Sequence, residues 1–130
     1  MIIATTNRPD DPGVHVMNPA FRSRFQYFAT LDQLSDTEVM GIVGKKCGID
    51  DESLLEKIVE VYKKAEEAGR QLGANAYATL RSLYPFAMAI KRGRNPEFAF
   101  RHFILSAITT EPDQMEDIMS IVSDCDLIAA

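Results

Sequence analysis

The chain has 130 residues, 46% hydrophobic and 25% charged, which is enough to bury one core and lacks the bias of a disordered or fibrous sequence. A net charge of -5 excludes the basic footprint of a general nucleic-acid or anionic-membrane binder, and no apolar run approaches the length of a membrane span. Cys47 and Cys125 form no CxxC and have only His15 and His102 beside them, so they read as free thiols of a reducing, cytoplasmic compartment and not as metal ligands.

Met1-Ile2-Ile3-Ala4-Thr5 is an apolar, β-branched run and reads as a short strand buried on both faces. Residues 6–13 hold two prolines and a glycine, which ends the strand by Thr6 and leaves Asn7 at its carboxyl tip, where open parallel sheets bind ligands. Residues 14–17 read as loop. Asn18 suits an N-cap and Pro19 the first helical position, so residues 19–23 are expected as one helical turn with Arg24 at its exit. Gln26-Tyr27-Phe28-Ala29-Thr30 reads as a second strand, joined to the first by a crossover.

Between those strands, Asn18-Pro19-Ala20-Phe21-Arg22-Ser23-Arg24-Phe25 brackets two arginines with phenylalanines. A guanidinium is permanently charged and offers a planar fork of donors, so an arginine anchored by a buried Phe on either side suits a phosphate. On these eight residues alone, however, Arg22 and Arg24 read first as surface arginines with stems laid along apolar neighbours.

From Ser35 onward the pattern is helical. Ser35-Asp36-Thr37-Glu38 is a capping box, Val39, Met40, Ile42 and Val43 form an apolar stripe, and Gly48 stands where a C-terminal cap belongs, so a helix is expected over residues 36–46. Asp50 is expected to cap the longest helix, reaching about Gln71, with Leu54, Leu55, Ile58, Val61, Tyr62, Ala65 and Ala68 on its apolar side. Glu56, Glu60, Lys63, Lys64, Glu66 and Glu67 read as a solvated face held by i,i+4 pairs. Thr79 caps a third helix carrying Leu80, Arg81, Leu83, Phe86, Ala87 and Ile90, ending near Gly93, with Pro85 expected to bend it. Asn95-Pro96 opens a fourth, its apolar side expected to comprise Phe98, Phe100, Phe103, Ile104, Ala107 and Ile108. Pro112 opens a fifth with Met115, Ile118, Met119 and Val122. His102 reads as a packing or surface element.

Three stretches together carry a resemblance. Ile3-Ala4-Thr5-Thr6-Asn7-Arg8-Pro9, then the Asn18 to Phe25 octapeptide, then Ala78-Thr79-Leu80-Arg81-Ser82-Leu83 resemble, in order, sensor 1, the arginine-finger region and sensor 2 of an AAA+ ATPase. The Arg-x-Arg-Phe form and the residues between Asn95 and Pro112 look closest to the MoxR-type and dynein/midasin-related branch. The resemblance implies that Asn7 contacts the γ-phosphate and the attacking water. It maps the finger most directly onto Arg24, with Arg22 as the alternative, and the lid arginine that contacts nucleotide from its own subunit onto Arg81. The implied fold is mostly α: residues 1–34 hold two short strands from the end of an α/β nucleotide-binding core, and residues 35–130 form an all-helical lid of about five helices.

The activity implied is ATP hydrolysis with Mg²⁺, coupled to protein remodelling in a self-assembled ring, with a hexamer the expected size. A protein carrying a von Willebrand factor A domain is the implied partner. No GxxxxGK[ST] and no strand ending in paired acids occur here, so the chain is not expected to hydrolyse ATP alone. In the family the phosphate-loop strand lies between the two strands found here, which are therefore expected to lack their common neighbour. A helical, non-catalytic adaptor for another protein is the alternative reading.

Overall fold

Capping chemistry sets the element boundaries in the computed structural model, which describes residues 1–7, 14–31 and 33–129. The chain divides into two units, Met1–Gln33 and Leu34–Ala130.

In the first unit one helical turn forms, α1 (Pro19–Arg22), because Asn18 Oδ1 accepts the Ala20 N–H at 2.8 Å and Pro19 enters with its φ already suited to a helix. The two strands expected at residues 1–5 and 26–30 do not form. Ile2 is 86% exposed and Tyr27 83%, and neither run has a strand beside it among the described residues. The physical reason is pairing: a β-branched run becomes a strand only when a neighbour accepts its ladder of hydrogen bonds, and without one the backbone groups turn to water. Residues 8–13, the proline and glycine turn expected to end the first strand, lie outside the described residues.

The second unit is helical throughout its regular structure. α2 (Asp36–Cys47) starts at a complete capping box: the Ser35 N–H and hydroxyl donate to Glu38 Oε2 at 2.8 and 2.9 Å, and the Glu38 N–H donates to Ser35 Oγ at 3.3 Å. These bonds to its ionised form hold the Glu38 carboxyl below the usual range. Gly48 ends α2 in the left-handed region at φ +64°, which a residue with a Cβ rarely adopts. α3 (Glu52–Gln71) is capped by Asp51, whose Oδ1 accepts the Leu54 N–H at 3.1 Å, and not by Asp50 as the sequence predicts. Either aspartate has the chemistry; the one three residues before a free helical N–H makes the bond.

α4 (Leu80–Lys91) runs unbroken through Pro85, whose missing N–H leaves the Arg81 carbonyl without its usual intrahelical donor. α5 (Pro96–Phe100) continues into a π-helical turn over Arg101–Leu105 and then α6 (Ser106–Ile108). Beyond it lie α7 (Pro112–Val122) and the short α8 (Asp126–Ala129), the latter not foreseen from sequence.

α3 is the centre of the unit, with α2, α7 and α8 packed along it, while α4 packs on α2, α5 and the π turn. Phe86 and Phe100 are both fully buried and meet edge to face at 6.3 Å, each ring contributing roughly 2–3 kcal/mol of burial. Ile58, Leu83, Ile104, Ile118 and Val122 close around them. Gly69 lets α3 approach Ile108 so nearly that a Cβ at Gly69 would sit 2.5 Å from Ile108 Cγ2. Along the charged side of α3, Glu60 pairs with Lys64 at 3.0 Å and Glu67 with Arg70 at 3.4 Å, exposed pairs of small energetic consequence.

Phe98 departs from expectation. It is 65% exposed, whereas Phe100, Ile104 and Ile108 are buried. Two residues before Phe100 on a helix is about 200° round the axis, so Phe98 belongs to the opposite face and was never on the same stripe.

Candidate functional site

Local backbone bonds fix where each candidate side chain departs. Arg22 is the last residue of α1 and Arg24 follows the turn, its N–H donating to the Phe21 carbonyl at 3.2 Å. The rings around them form a small cluster: Phe21 meets Phe25 edge to face at 5.3 Å, and Phe25 meets Phe28 at 6.3 Å. They are not the buried anchors the sequence predicts. Phe21 is 50% exposed and only Phe25 is half-buried, because three rings with no further buried apolar layer among the unit's described residues cannot shield one another from water.

That cluster separates the two arginines. The Arg22 guanidinium lies over the Phe28 ring, 4.8 Å from its centroid, a cation–π arrangement that occupies its face. Arg24 is exposed, and among the described residues it enters neither an ion pair nor a ring contact. Asn7 is likewise exposed, with the Thr6 hydroxyl donating to its backbone carbonyl at 3.3 Å, so its side-chain amide has no partner shown among the described residues.

Arg81 occupies the first turn of α4. Its N–H donates to Thr79 Oγ1 at 3.2 Å, which places the cap the sequence predicts, and its side chain is exposed. The segment leading to it is tied down by Tyr62, a residue of α3 that sequence reasoning took only for core. The Tyr62 hydroxyl donates to the Ala78 carbonyl at 3.3 Å in a buried setting, and burial, reinforced by Glu66, pushes its pKa up to about 12. A tyrosine among aliphatic residues on a buried stripe is the one signal that could have marked this tie, since a buried phenol needs an acceptor.

Neither thiol of the helical unit is primed as a nucleophile. Both cysteines are buried free thiols, and burial pushes Cys47 and Cys125 upward from their ordinary range, away from the reactive thiolate. A cleft of about 160 Å³ between residues 75–76 and 106–114 is internally satisfied: Thr109 donates to Gln114 Oε1 at 2.7 Å and Gln114 to the Leu72 carbonyl at 3.2 Å. Among the described residues no three His, Cys, Asp or Glu side chains converge as a metal site would require, and no helix is long and apolar enough to cross a membrane. Compared with known proteins, the chain matches no family model, no curated protein and no solved structure.

Proposed function

We propose that this chain is the C-terminal part of an AAA+ nucleotide-binding module of the MoxR or dynein-related type, and that in the assembled protein it couples ATP hydrolysis to protein remodelling. In this reading Asn7 orients the attacking water by hydrogen bond without taking its proton. Arg24, supplied across a subunit boundary, neutralises charge developing on the γ-phosphoryl group. Arg81 contacts the nucleotide of its own subunit and brings the helical unit onto it.

The observation that carries the reading is the state of Arg24. It is an exposed guanidinium at the exit of an N-capped turn, with no ion-pair partner among the described residues, in a sequence order that also supplies Asn7 before it and Arg81 after it. Arg22 is the weaker finger because Phe28 already engages it. Mg²⁺ is not assigned to this chain, since its described acidic residues do not converge.

The test uses the full-length protein that carries this chain. Arg24→Ala should leave nucleotide binding nearly intact and slow turnover by about 10³-fold or more. Mixing Arg24→Ala subunits with subunits lacking the phosphate-loop lysine should restore part of the activity. Assembly of both mutants without any recovery would remove the action in trans.

A non-catalytic adaptor is the second reading, favoured by the helical unit closing a hydrophobic core of its own. The coding sequence upstream of Met1 discriminates: a phosphate-loop motif followed by an acidic strand end decides for the ATPase.

A further inference from the structure

A groove of about 730 Å³ lies where the end of α4 meets the start of α5, with Met88, Phe98 and Phe103 along it and Arg92, Arg94 and His102 at its rim. Its connecting loop is closed by backbone hydrogen bonds. Gly93, at φ +71°, closes α4 in a Schellman turn, with its N–H donating to the Ile90 carbonyl at 2.9 Å and that of Arg94 donating to the Ala89 carbonyl at 3.1 Å. The two arginines therefore project from a hydrogen-bonded turn on either side of one glycine. Directly after them Asn95 Oδ1 accepts the Phe98 N–H at 2.8 Å, and the Phe98 ring lies stacked on His102, 5.9 Å away and within 5° of parallel.

The charge at this groove is opposite to that of the chain. No carboxylate lines it, and Arg92 and Arg94 are exposed and enter no ion pair among the described residues. The nearest acid in sequence, Glu97, is held by Arg101 at 3.0 Å and does not compensate them. In a chain of net charge -5, two uncompensated arginines beside an exposed aromatic ring form a localised site of positive potential with an apolar floor. We propose that this groove docks an acidic peptide segment of another protein, seating an apolar side chain against Phe98 and Met88 while carboxylates reach Arg92 and Arg94.

Nuclear magnetic resonance of the 130-residue chain tests this directly, because it reads weak binding and its location together. The probe is an amphipathic peptide with Leu and Phe on one helical face and Glu on the other, compared with versions carrying Gln or Lys for every Glu. The acidic peptide should produce saturable shifts confined to residues 85–103, and the Gln version should bind about tenfold more weakly. Arg92→Glu with Arg94→Glu, and separately Phe98→Ser, should each weaken the acidic peptide about tenfold or more. Both change exposed side chains, so the unperturbed remainder of the spectrum verifies the fold.

Absence of saturable shifts up to about 1 mM, or equal affinity for the Glu and Gln peptides, would overturn the proposal. Self-association of the unliganded chain that Phe98→Ser abolishes would assign the groove to a second copy instead. Tighter binding of a single-stranded oligothymidylate than of the acidic peptide would assign it to nucleic acid.

Discussion

Lys91 Nζ lies 2.7 Å from the Gly48 carbonyl oxygen and 3.0 Å from that of Cys47, so a side chain at the end of α4 donates two hydrogen bonds into the C-terminal end of α2. Those carbonyls have no N–H of their own helix to accept from, and the ammonium also meets the negative end of the α2 dipole. Lys91→Met keeps the stem and removes both bonds. It should lower the unfolding free energy by about 1–2 kcal/mol, while Lys45→Met, in the last turn of α2 but without such bonds, should change it by less than about 0.5 kcal/mol. Urea titrations of the two variants measure the difference.

Tyr62 predicts an alkaline loss of stability. Its folded pKa of about 12 stands above the ordinary value of 10.0, so the folded state keeps the phenol proton where the unfolded state has lost it. The contribution is complete below pH 10 and disappears as pH rises through 12, amounting to about 2–3 kcal/mol at most. Tyr62→Phe should flatten that part of the pH profile. Below pH 10 it should also cost about 1–2 kcal/mol, because the Ala78 carbonyl loses its buried donor. Thermal denaturation of both proteins across this range compares the slopes.

Close approach at Gly69 predicts a steric penalty. Gly69→Ala normally stabilises a helix through propensity, yet here the new methyl would meet Ile108, which is itself buried and has no room to withdraw. The single variant should lose about 1–3 kcal/mol. Ile108→Ala opens a cavity by itself, and the double variant should be more stable than the sum of the two losses. Denaturant unfolding of all four proteins gives the coupling energy.

For Arg81 the expected effects on fold and on function separate. Its side chain is exposed, so Arg81→Ala should shift the unfolding free energy by less than about 0.5 kcal/mol. If the proposed nucleotide role holds, the same change in a full-length protein carrying this chain should weaken ATP binding or its coupling to closure of the helical unit. Calorimetric titration with nucleotide beside a turnover assay checks this, and unchanged values in both would leave Arg81 an ordinary surface residue.

Helices were legible wherever the signal was local. Ser35 with Glu38, Thr79, Asn95 before Pro96, and Gly48 each act within one turn, and each occupies the position the sequence predicts. What escaped depends on distant partners or on a change of helical period. Lys91 reaches α2 from 43 residues away in sequence, and nothing near it announces the acceptor. Phe98 reads as part of the apolar side because a run of aromatic and aliphatic residues looks continuous, although the angular step puts it on the outside. The runs at residues 1–5 and 26–30 have strand composition, but composition does not provide the neighbouring strand. At the candidate site the positions of Arg22, Arg24 and Arg81 could be read from caps, whereas the cation–π contact that sets Arg22 apart depends on Phe28, which a strand would have carried elsewhere.

The π turn at Arg101–Leu105 has a consequence for the gene. A π turn closes on the fifth residue where an α turn closes on the fourth, so residues 96–108 contain one amino acid more than the same length of α-helix needs. Elsewhere in a helix, losing a codon swings every later side chain by about 100° and turns a core face toward water. Here the surplus absorbs it: with one residue gone from the bulge, Phe100 and Ile108 come to lie seven apart, about two α turns, and both still point inward. Among the unit's helical segments, this short stretch is therefore the place where loss of a single codon disturbs the later core positions least.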